Sequence, residues 1–88
     1  MMQSIYTVVY ASKAARQLRK LPISASVRIM QACGELVHFP DGAQIKALTQ
    51  HRHGYRLRVG DFRVLFNVDS VVRIVSIEEV KKRDERTY

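Results

Sequence analysis

The sequence predicts an α+β fold: an N-terminal strand, an antiparallel helical hairpin, and then a three- to four-stranded antiparallel sheet. Three patterns lead to this prediction. Residues 5–10 are rich in β-branched and aromatic types, which are typical of a strand. Apolar residues then recur at helical spacing as far as Pro40, and from Tyr55 onward they alternate with polar residues as in a half-buried strand. Because 88 residues suffice for one domain only, residues 1–88 are expected to form a single domain.

The composition narrows the class of protein and the class of partner. Hydrophobic residues make up 47% of the chain, which supports a packed core and excludes disorder. Lysine and arginine outnumber aspartate and glutamate by 15 to 8, which gives a net charge of +7. This excess indicates an anionic partner: RNA, DNA, an acidic protein or a membrane surface. A soluble basic protein without any role in nucleic-acid binding is the alternative.

Several kinds of site and segment are not expected. Cys33 is the single cysteine, which excludes an internal disulfide and a cysteine-rich zinc site. The first ten residues lack the features of a signal peptide, and no apolar run approaches the roughly 18 residues of a membrane span. The prediction is a cytoplasmic protein with no membrane partner.

Two helices are expected between the first strand and Phe39-Pro40. Ser12 and Ser24 offer side-chain caps for them, and Pro22 ends the first helix. The second helix is expected to bury a stripe of five apolar residues: Val27, Met30, Cys33, Leu36 and Val37.

The register of the sheet follows from two turns. The sequence at 60–61 is a favoured two-residue hairpin turn, and the one at 69–70 is a weaker turn signal. If both are two-residue turns, Arg58 lies opposite Arg63 in the first hairpin, and Ser76 lies opposite Arg63 in the second. A short additional strand is expected at residues 44–48. The core face of the sheet is then formed by ten residues: Tyr55, Leu57, Val59, Phe62, Val64, Phe66, Val68, Val71, Val75 and Ile77.

The opposite face of this sheet carries Arg56, Arg58 and Arg63, and we call it the arginine face. Like charges that lie directly opposite each other destabilise a sheet, and nothing in folding requires them. Guanidinium groups suit phosphate oxygens well, so we interpret the arginine face as an anion site, most plausibly for an RNA or DNA phosphate. The alternative is that these are ordinary solvated arginines, and a one-residue error in either turn would scatter them over both faces.

The central segment resembles the signature of the RelE/ParE toxin superfamily. The resemblance lies in Lys46-Ala-Leu, a polar loop, and then GYRLRVGDFRVLFNV at residues 54–68. The end of the chain, KKRDERTY, resembles the C-terminal Arg…Tyr motif of that family. The opening strand and the basic helical hairpin also fit, so the resemblance covers essentially the whole chain. It implies a RelE-like toxin domain with the RelE/ParE-like α+β fold.

The resemblance also implies a function. RelE-type toxins are ribosome-dependent endoribonucleases that cleave mRNA and are held inactive by an antitoxin. We therefore expect a metal-independent mRNA interferase without a cofactor, which acts on the ribosome and forms a hetero-oligomer with a cognate acidic antitoxin. A ParE-like toxin, which shares the fold and inhibits DNA gyrase without chemistry of its own, is the alternative. A degenerate relative that only binds its antitoxin or nucleic acid is a third possibility.

Five catalytic residues are implied by the resemblance: Arg56, Arg58, Arg63, Arg83 and Tyr88. An RNA-binding role is expected for six basic residues around them: Lys13, Arg16, Lys20, Lys46, Lys81 and Lys82. Well-known RelE members carry lysine at the positions of Arg56 and Arg58. Because arginine stays protonated, neither can serve as the general base for a 2′-hydroxyl. Five residues remain alternatives for that role: His51, His53, Glu78, Lys81 and Lys82. We further expect Arg63 to be exposed and to contribute little to stability.

Overall fold

The protein folds as a five-stranded sheet with two helices packed on one face. A computed structural model describes residues 5–83. The strands are β1 (Thr7–Tyr10), β2 (Ile45–Ala47), β3 (Tyr55–Val59), β4 (Phe62–Asp69) and β5 (Ile74–Lys82). The helices are α1 (Ser12–Arg19) and α2 (Ile23–Gly34), and a short 3₁₀ helix (Glu35–His38) follows α2. The predicted α+β class and the order of its elements are confirmed.

The first strand is part of the sheet, which makes it larger than the sequence predicts. The strand order is β1-β5-β4-β3-β2, and β1 runs parallel to β5 with Tyr10 opposite Ile77. All the other pairs are antiparallel. The helical hairpin is the crossover that carries the chain from β1 to the far edge, where β2 pairs with β3. The predicted strand at residues 44–48 is confirmed as β2.

The register of the first hairpin is as predicted, and that of the second is not. Val59 lies opposite Phe62, and Gly60 in the turn between them has the left-handed φ of +56° that such turns require. In the second hairpin Val68 lies opposite Val75 instead of Val71. The connection therefore contains four residues, 70–73, instead of two.

Asp69 explains the longer turn. Its carboxylate accepts hydrogen bonds from the backbone N–H groups of Val71 and Val72, at 3.0 and 3.2 Å, and this stabilises a local turn in place of further strand pairing. Val71, expected in the core, is 88% exposed in this turn. Arg73, which the predicted register placed on the core face, ends the turn at φ +61° with its guanidinium 5.6 Å from the ring centre of Tyr6.

The second helix buries a different stripe from the one expected. Cys33 and Leu36 are buried as predicted, together with Ile29, but Val27 and Met30 are about half exposed. Both stripes have helical spacing, and the sequence alone does not show which one faces the sheet. The predicted caps are also wrong, because Ala11 and Pro22 occupy the N-cap positions and neither helix has a side-chain cap.

The core lies between the helices and the face of the sheet opposite to the arginines. Phe66 is fully buried at its centre, stacked on Tyr55 with 5.5 Å between ring centres and edge-on to Phe39 at 6.1 Å. Burial raises the pKa of the Cys33 thiol to about 11, so it packs as an apolar group. Within residues 5–83, no helix is long and apolar enough to cross a membrane.

Replacing Phe66 with alanine is expected to destabilise the domain by about 3–5 kcal/mol, because it empties the centre of the core. That is a large part of the roughly 5–15 kcal/mol that stabilises a typical domain. Urea melts of F66A and the unsubstituted chain measure the difference. The matched control is V71A, which removes an exposed side chain and should leave the midpoint unchanged. Equal midpoints for F66A and the unsubstituted chain would contradict this account of the core.

Candidate active site on the arginine face

Three cations are aligned in one row across the three central strands, next to the β3–β4 turn. Arg58 on β3 lies directly opposite Arg63 on β4, and Arg63 lies directly opposite Lys81 on β5. The predicted Arg58–Arg63 pair is therefore confirmed, whereas Ser76, predicted opposite Arg63, pairs with Asn67. Side chains of directly paired residues share a face, so three positive charges lie side by side.

A β-bulge in β5 places Lys81 in this row. Phe66 pairs with Ile77 whereas Leu65 pairs with Glu79, so Glu78 is the extra residue. The bulge shifts the alternation of β5 by one residue. As a result Val80 points into the core, and Glu79 and Lys81 lie on the arginine face.

The neighbouring row carries charges at its ends and an apolar residue at its centre. It consists of Arg56, Leu65 and Glu79, and Lys46 on β2 lies opposite Arg56. Leu65 is fully buried. The Nε of Arg56 is also buried and has no hydrogen-bond partner in the described part of the chain. A buried donor without a partner is costly, so an anion bound here would stabilise it.

Arg63 is buried, which corrects the expectation that it is exposed. Its side chain is 9% exposed, and Nη1 donates to the backbone carbonyls of Gly60 and Phe62 at 3.1 and 3.0 Å. The guanidinium thus stabilises the β3–β4 turn from within. Arg58 differs: it is exposed, and no carboxylate of residues 5–83 lies within ion-pair distance of it.

Glu79 is the carboxylate at the end of the second row, and three basic side chains surround it. Its oxygens lie 2.9 Å from the Nζ of Lys13, 3.8 Å from the Nε2 of His53 and 3.9 Å from the Nζ of Lys81. Burial opposes ionisation of this carboxyl group, but Lys13 and Lys81 outweigh that effect and lower its pKa below the ordinary 4.5. Glu79 is therefore ionised at neutral pH and neutralises part of the positive charge of the arginine face.

The protonation of His53 can be read from its neighbours. The Oδ1 of Asn67 accepts a hydrogen bond from the Gly54 N–H at 2.8 Å, so the amide Nδ2 of Asn67 is directed at the Nδ1 of His53, at 3.3 Å. The His53 proton therefore resides on Nε2, which faces Glu79. Burial lowers the pKa of His53, and this outweighs the opposing effect of Glu78 and Glu79. Both ring nitrogens are engaged, so His53 positions the loop and is not a free base.

The comparisons with known proteins identify the family. No protein-family model and no curated protein matches the sequence, but solved structures share its fold. The isolated RelE toxin of E. coli matches over 93% of this chain and 88% of its own, with a TM-score of 0.75 at 17% identity. The RelBE2 toxin–antitoxin complex of Mycobacterium tuberculosis matches over 90% of this chain and 99% of that one, with a TM-score of 0.79 and 30% identity. This chain belongs to the RelE toxin family.

A third structure places this RelE-family chain in the same fold. The RelE–RelB complex of Pyrococcus horikoshii OT3 matches over 92% of this chain and 98% of that one, with a TM-score of 0.78 and 23% identity. Identities this low support the fold alone for that complex and for the E. coli toxin.

Five of the predicted site residues of this RelE chain lie on the arginine face. Arg56, Arg58, Arg63, Lys46 and Lys81 lie in the two rows of the arginine face. Other predicted residues lie elsewhere: Arg16 and Lys20 are exposed along or just after α1, and Lys82 pairs with the core-facing Phe62.

The other predicted site residues are Lys13, Arg83 and Tyr88. Lys13 pairs with Glu79 and is not a free cation. Arg83 follows β5, and its backbone N–H bonds the Asp61 carbonyl at the hairpin turn. Tyr88 lies outside the described residues. Among residues 5–83, no group of three or more histidine, cysteine or acidic side chains could hold a metal ion.

The pKa shifts of His53 and Glu79 predict how stability depends on pH. The folded state lowers the pKa of His53 below 6.5, so stability is complete above pH 6.5 and falls as the unfolded state takes up this proton first. Glu79 adds a further loss below about pH 4.5. Thermal melts between pH 4 and 8 should show both losses. H53Q should remove the loss just below pH 6.5 and E79Q the one at lower pH.

The matched control for His53 is H38Q, which replaces an exposed histidine at the end of the 3₁₀ helix. It should leave both losses in place. A melting temperature of H53Q that falls below pH 6.5 as steeply as that of the unsubstituted chain would show that His53 is not held neutral in the fold.

Proposed function

We propose that this RelE-family chain is the toxin of a type II toxin–antitoxin system and cleaves mRNA on the ribosome, in the cytoplasm. One observation carries the proposal: the row of Arg58, Arg63 and Lys81, beside the unpartnered Nε of Arg56. A row of like charges weakens the sheet, so its presence is explained by an anionic ligand. A phosphodiester offers the oxygens that guanidinium groups bind in pairs.

The proposed role of the arginines is electrostatic. In cleavage through the 2′-hydroxyl, that oxygen attacks the adjacent phosphorus, the bond to the 5′-oxygen breaks, and negative charge accumulates on the phosphate oxygens. Arg56 and Arg58 stay protonated, so they stabilise that charge and take no proton from the hydroxyl. Arg63 is largely committed to the turn and acts mainly through its charge and by positioning Arg58 opposite it.

The proton transfers are assigned to the far side of the row. Lys81 lies beside Arg63, with its Nζ 3.9 Å from Glu79. The Glu79 carboxylate is therefore the candidate that takes the proton from the 2′-hydroxyl, and the Lys81 ammonium is the candidate that gives one to the leaving 5′-oxygen. His53 is disfavoured as the base because Asn67 occupies its Nδ1. Arg83 and Tyr88 remain proposals that rest on the resemblance, with Tyr88 expected to stack on a base or to orient the 2′-hydroxyl.

The second part of the proposal is an acidic antitoxin bound at the helical hairpin. The exposed apolar stripe of α2 forms one wall of a groove against α1, with a volume of about 450 Å³, and we call it the α1–α2 groove. Its apolar lining consists of Tyr10, Ala15, Leu18, Leu21, Ile23, Val27 and Met30. Two of the related structures are complexes of RelE with RelB. An amphipathic antitoxin helix with acidic flanks would cover this groove and complement the charge of +7.

Replacing Arg58 with alanine should slow mRNA cleavage on programmed ribosomes by about 10²–10³-fold, because a contact to the developing charge is lost. The melting temperature should not fall, since Arg58 is exposed and its removal relieves the repulsion from Arg63. R73N is the control: it removes the same charge at the opposite end of the sheet, and asparagine tolerates the left-handed φ of that position. Full cleavage by R58A would refute the proposed site, and a chain that cuts nothing but inhibits gyrase would establish the ParE-like alternative.

Replacing Met30 with aspartate should weaken antitoxin binding about ten- to a hundredfold, because a side chain of this size contributes about 1.5–3 kcal/mol when it is buried. Titration calorimetry of the purified pair measures the affinity. The control is Q31D, which adds the same charge at the next, exposed position of α2. Equal affinities of M30D and Q31D would place the antitoxin elsewhere on the toxin.

A further inference from the structure

Three arginine side chains surround the tip of the β3–β4 hairpin. Arg63 donates to the Gly60 carbonyl from one side. Arg28, which belongs to α2, covers Gly60 from the other side, so closely that a Cβ at position 60 would lie 2.6 Å from its Nη2. Arg58 is separated from Gly60 by one residue. A strand of the hairpin and a distant helix therefore both direct a guanidinium group to this turn.

Arg28 and Arg58 line a cleft of about 530 Å³ between α2 and β3. The cleft lies beside the end of β3, next to the residue that precedes β2, where the Arg58 N–H donates a hydrogen bond to the Gln44 carbonyl at 3.0 Å. It is lined by Arg28, Ala32, Gln44, Arg58, Val59 and Gly60. The lining contains no carboxylate, and within residues 5–83 neither arginine forms an ion pair. The cleft is thus bordered by two arginines and offers them no protein counter-charge.

We propose that this cleft binds a second backbone phosphate of the RNA, adjacent to the phosphate on the arginine face. The inference rests on the proposed function and extends its site from the sheet to α2. The absence of a side chain at Gly60 gives the Arg28 guanidinium room to lie against the turn, and guanidinium forks match phosphate oxygens. Arg58 belongs both to the cleft and to the row on the sheet. A ligand that occupies both the cleft and the row must carry consecutive anionic groups along its backbone. This requirement favours a nucleic-acid strand over an acidic peptide.

The test is the salt dependence of RNA binding by the full chain. The probe is a labelled single-stranded 2′-O-methyl oligonucleotide, which binds but cannot be cut through a 2′-hydroxyl. Each phosphate contact to a single strand contributes about 0.7 to the slope of log affinity against log salt concentration. R28A should lower that slope by about 0.7. The ratio of the affinity of the unsubstituted chain to that of R28A should therefore be about fivefold larger at 0.1 M salt than at 1 M salt. R28K should keep the slope, because it keeps the charge.

R73N is again the matched control, and it should leave the slope unchanged because its charge lies at the opposite end of the sheet. A slope of R28A equal to that of the unsubstituted chain, with equal melting temperatures, overturns the inference. So does a loss of antitoxin affinity in R28A without any change in RNA binding, which would assign the cleft to an acidic protein segment. If R28A lowers the slope but the unsubstituted chain cleaves nothing on ribosomes, the cleft stands and the proposed reaction fails.

Discussion

The pairing of β4 with its two neighbours determines where Arg56, Arg58, Arg63 and Lys81 lie on the arginine face. Strand β4 is central, so its pairs with β3 and β5 fix the positions across the sheet, and Phe66 on its other face fixes the core. The bulge at Glu78 is the decisive irregularity. It allows β5 to contribute Val80 to the core and, beside it, Glu79 and Lys81 to the charged face. In a regular β5, Glu79 and Lys81 would lie on the core face instead.

Repulsion between the cations of the arginine face is only partly offset by hydrogen bonds and ion pairs within the fold. The row of Arg58, Arg63 and Lys81 is repulsive, and two features of the fold offset this. Arg63 donates two hydrogen bonds to carbonyls of the turn, and Glu79 lies near Lys81 and Lys13. Around this row, the positive charge that no ion pair offsets lies on Arg56, Arg58 and Arg28. Proteins commonly retain such locally unfavourable groups at binding sites, where the ligand supplies the missing interaction.

The sequence predicted those features that depend on local pattern. The first hairpin was predictable because Gly60 and Asp61 specify a turn, and this alone placed Arg58 opposite Arg63. The longer second turn was missed because the side chain of Asp69 competes with the ladder. The pairing of β1 with β5 and the bulge at Glu78 leave no local signal, because both are decided by contacts between distant segments. The contacts around Glu79 depend on that bulge, so they could not be predicted. The position of Asn67 could have been predicted, because the register of the first hairpin places it opposite Gly54.

The parallel pairing of β1 with β5 has a consequence for the moment at which the fold is completed during synthesis. A ribosome synthesises β1 before any other element of the described chain and β5 after all of them. Until β5 has emerged, β1 has no neighbour, β4 has one unpaired edge, and Lys81 and Glu79 are absent from the arginine face. A partly synthesised chain therefore has neither a closed core nor a complete charged surface.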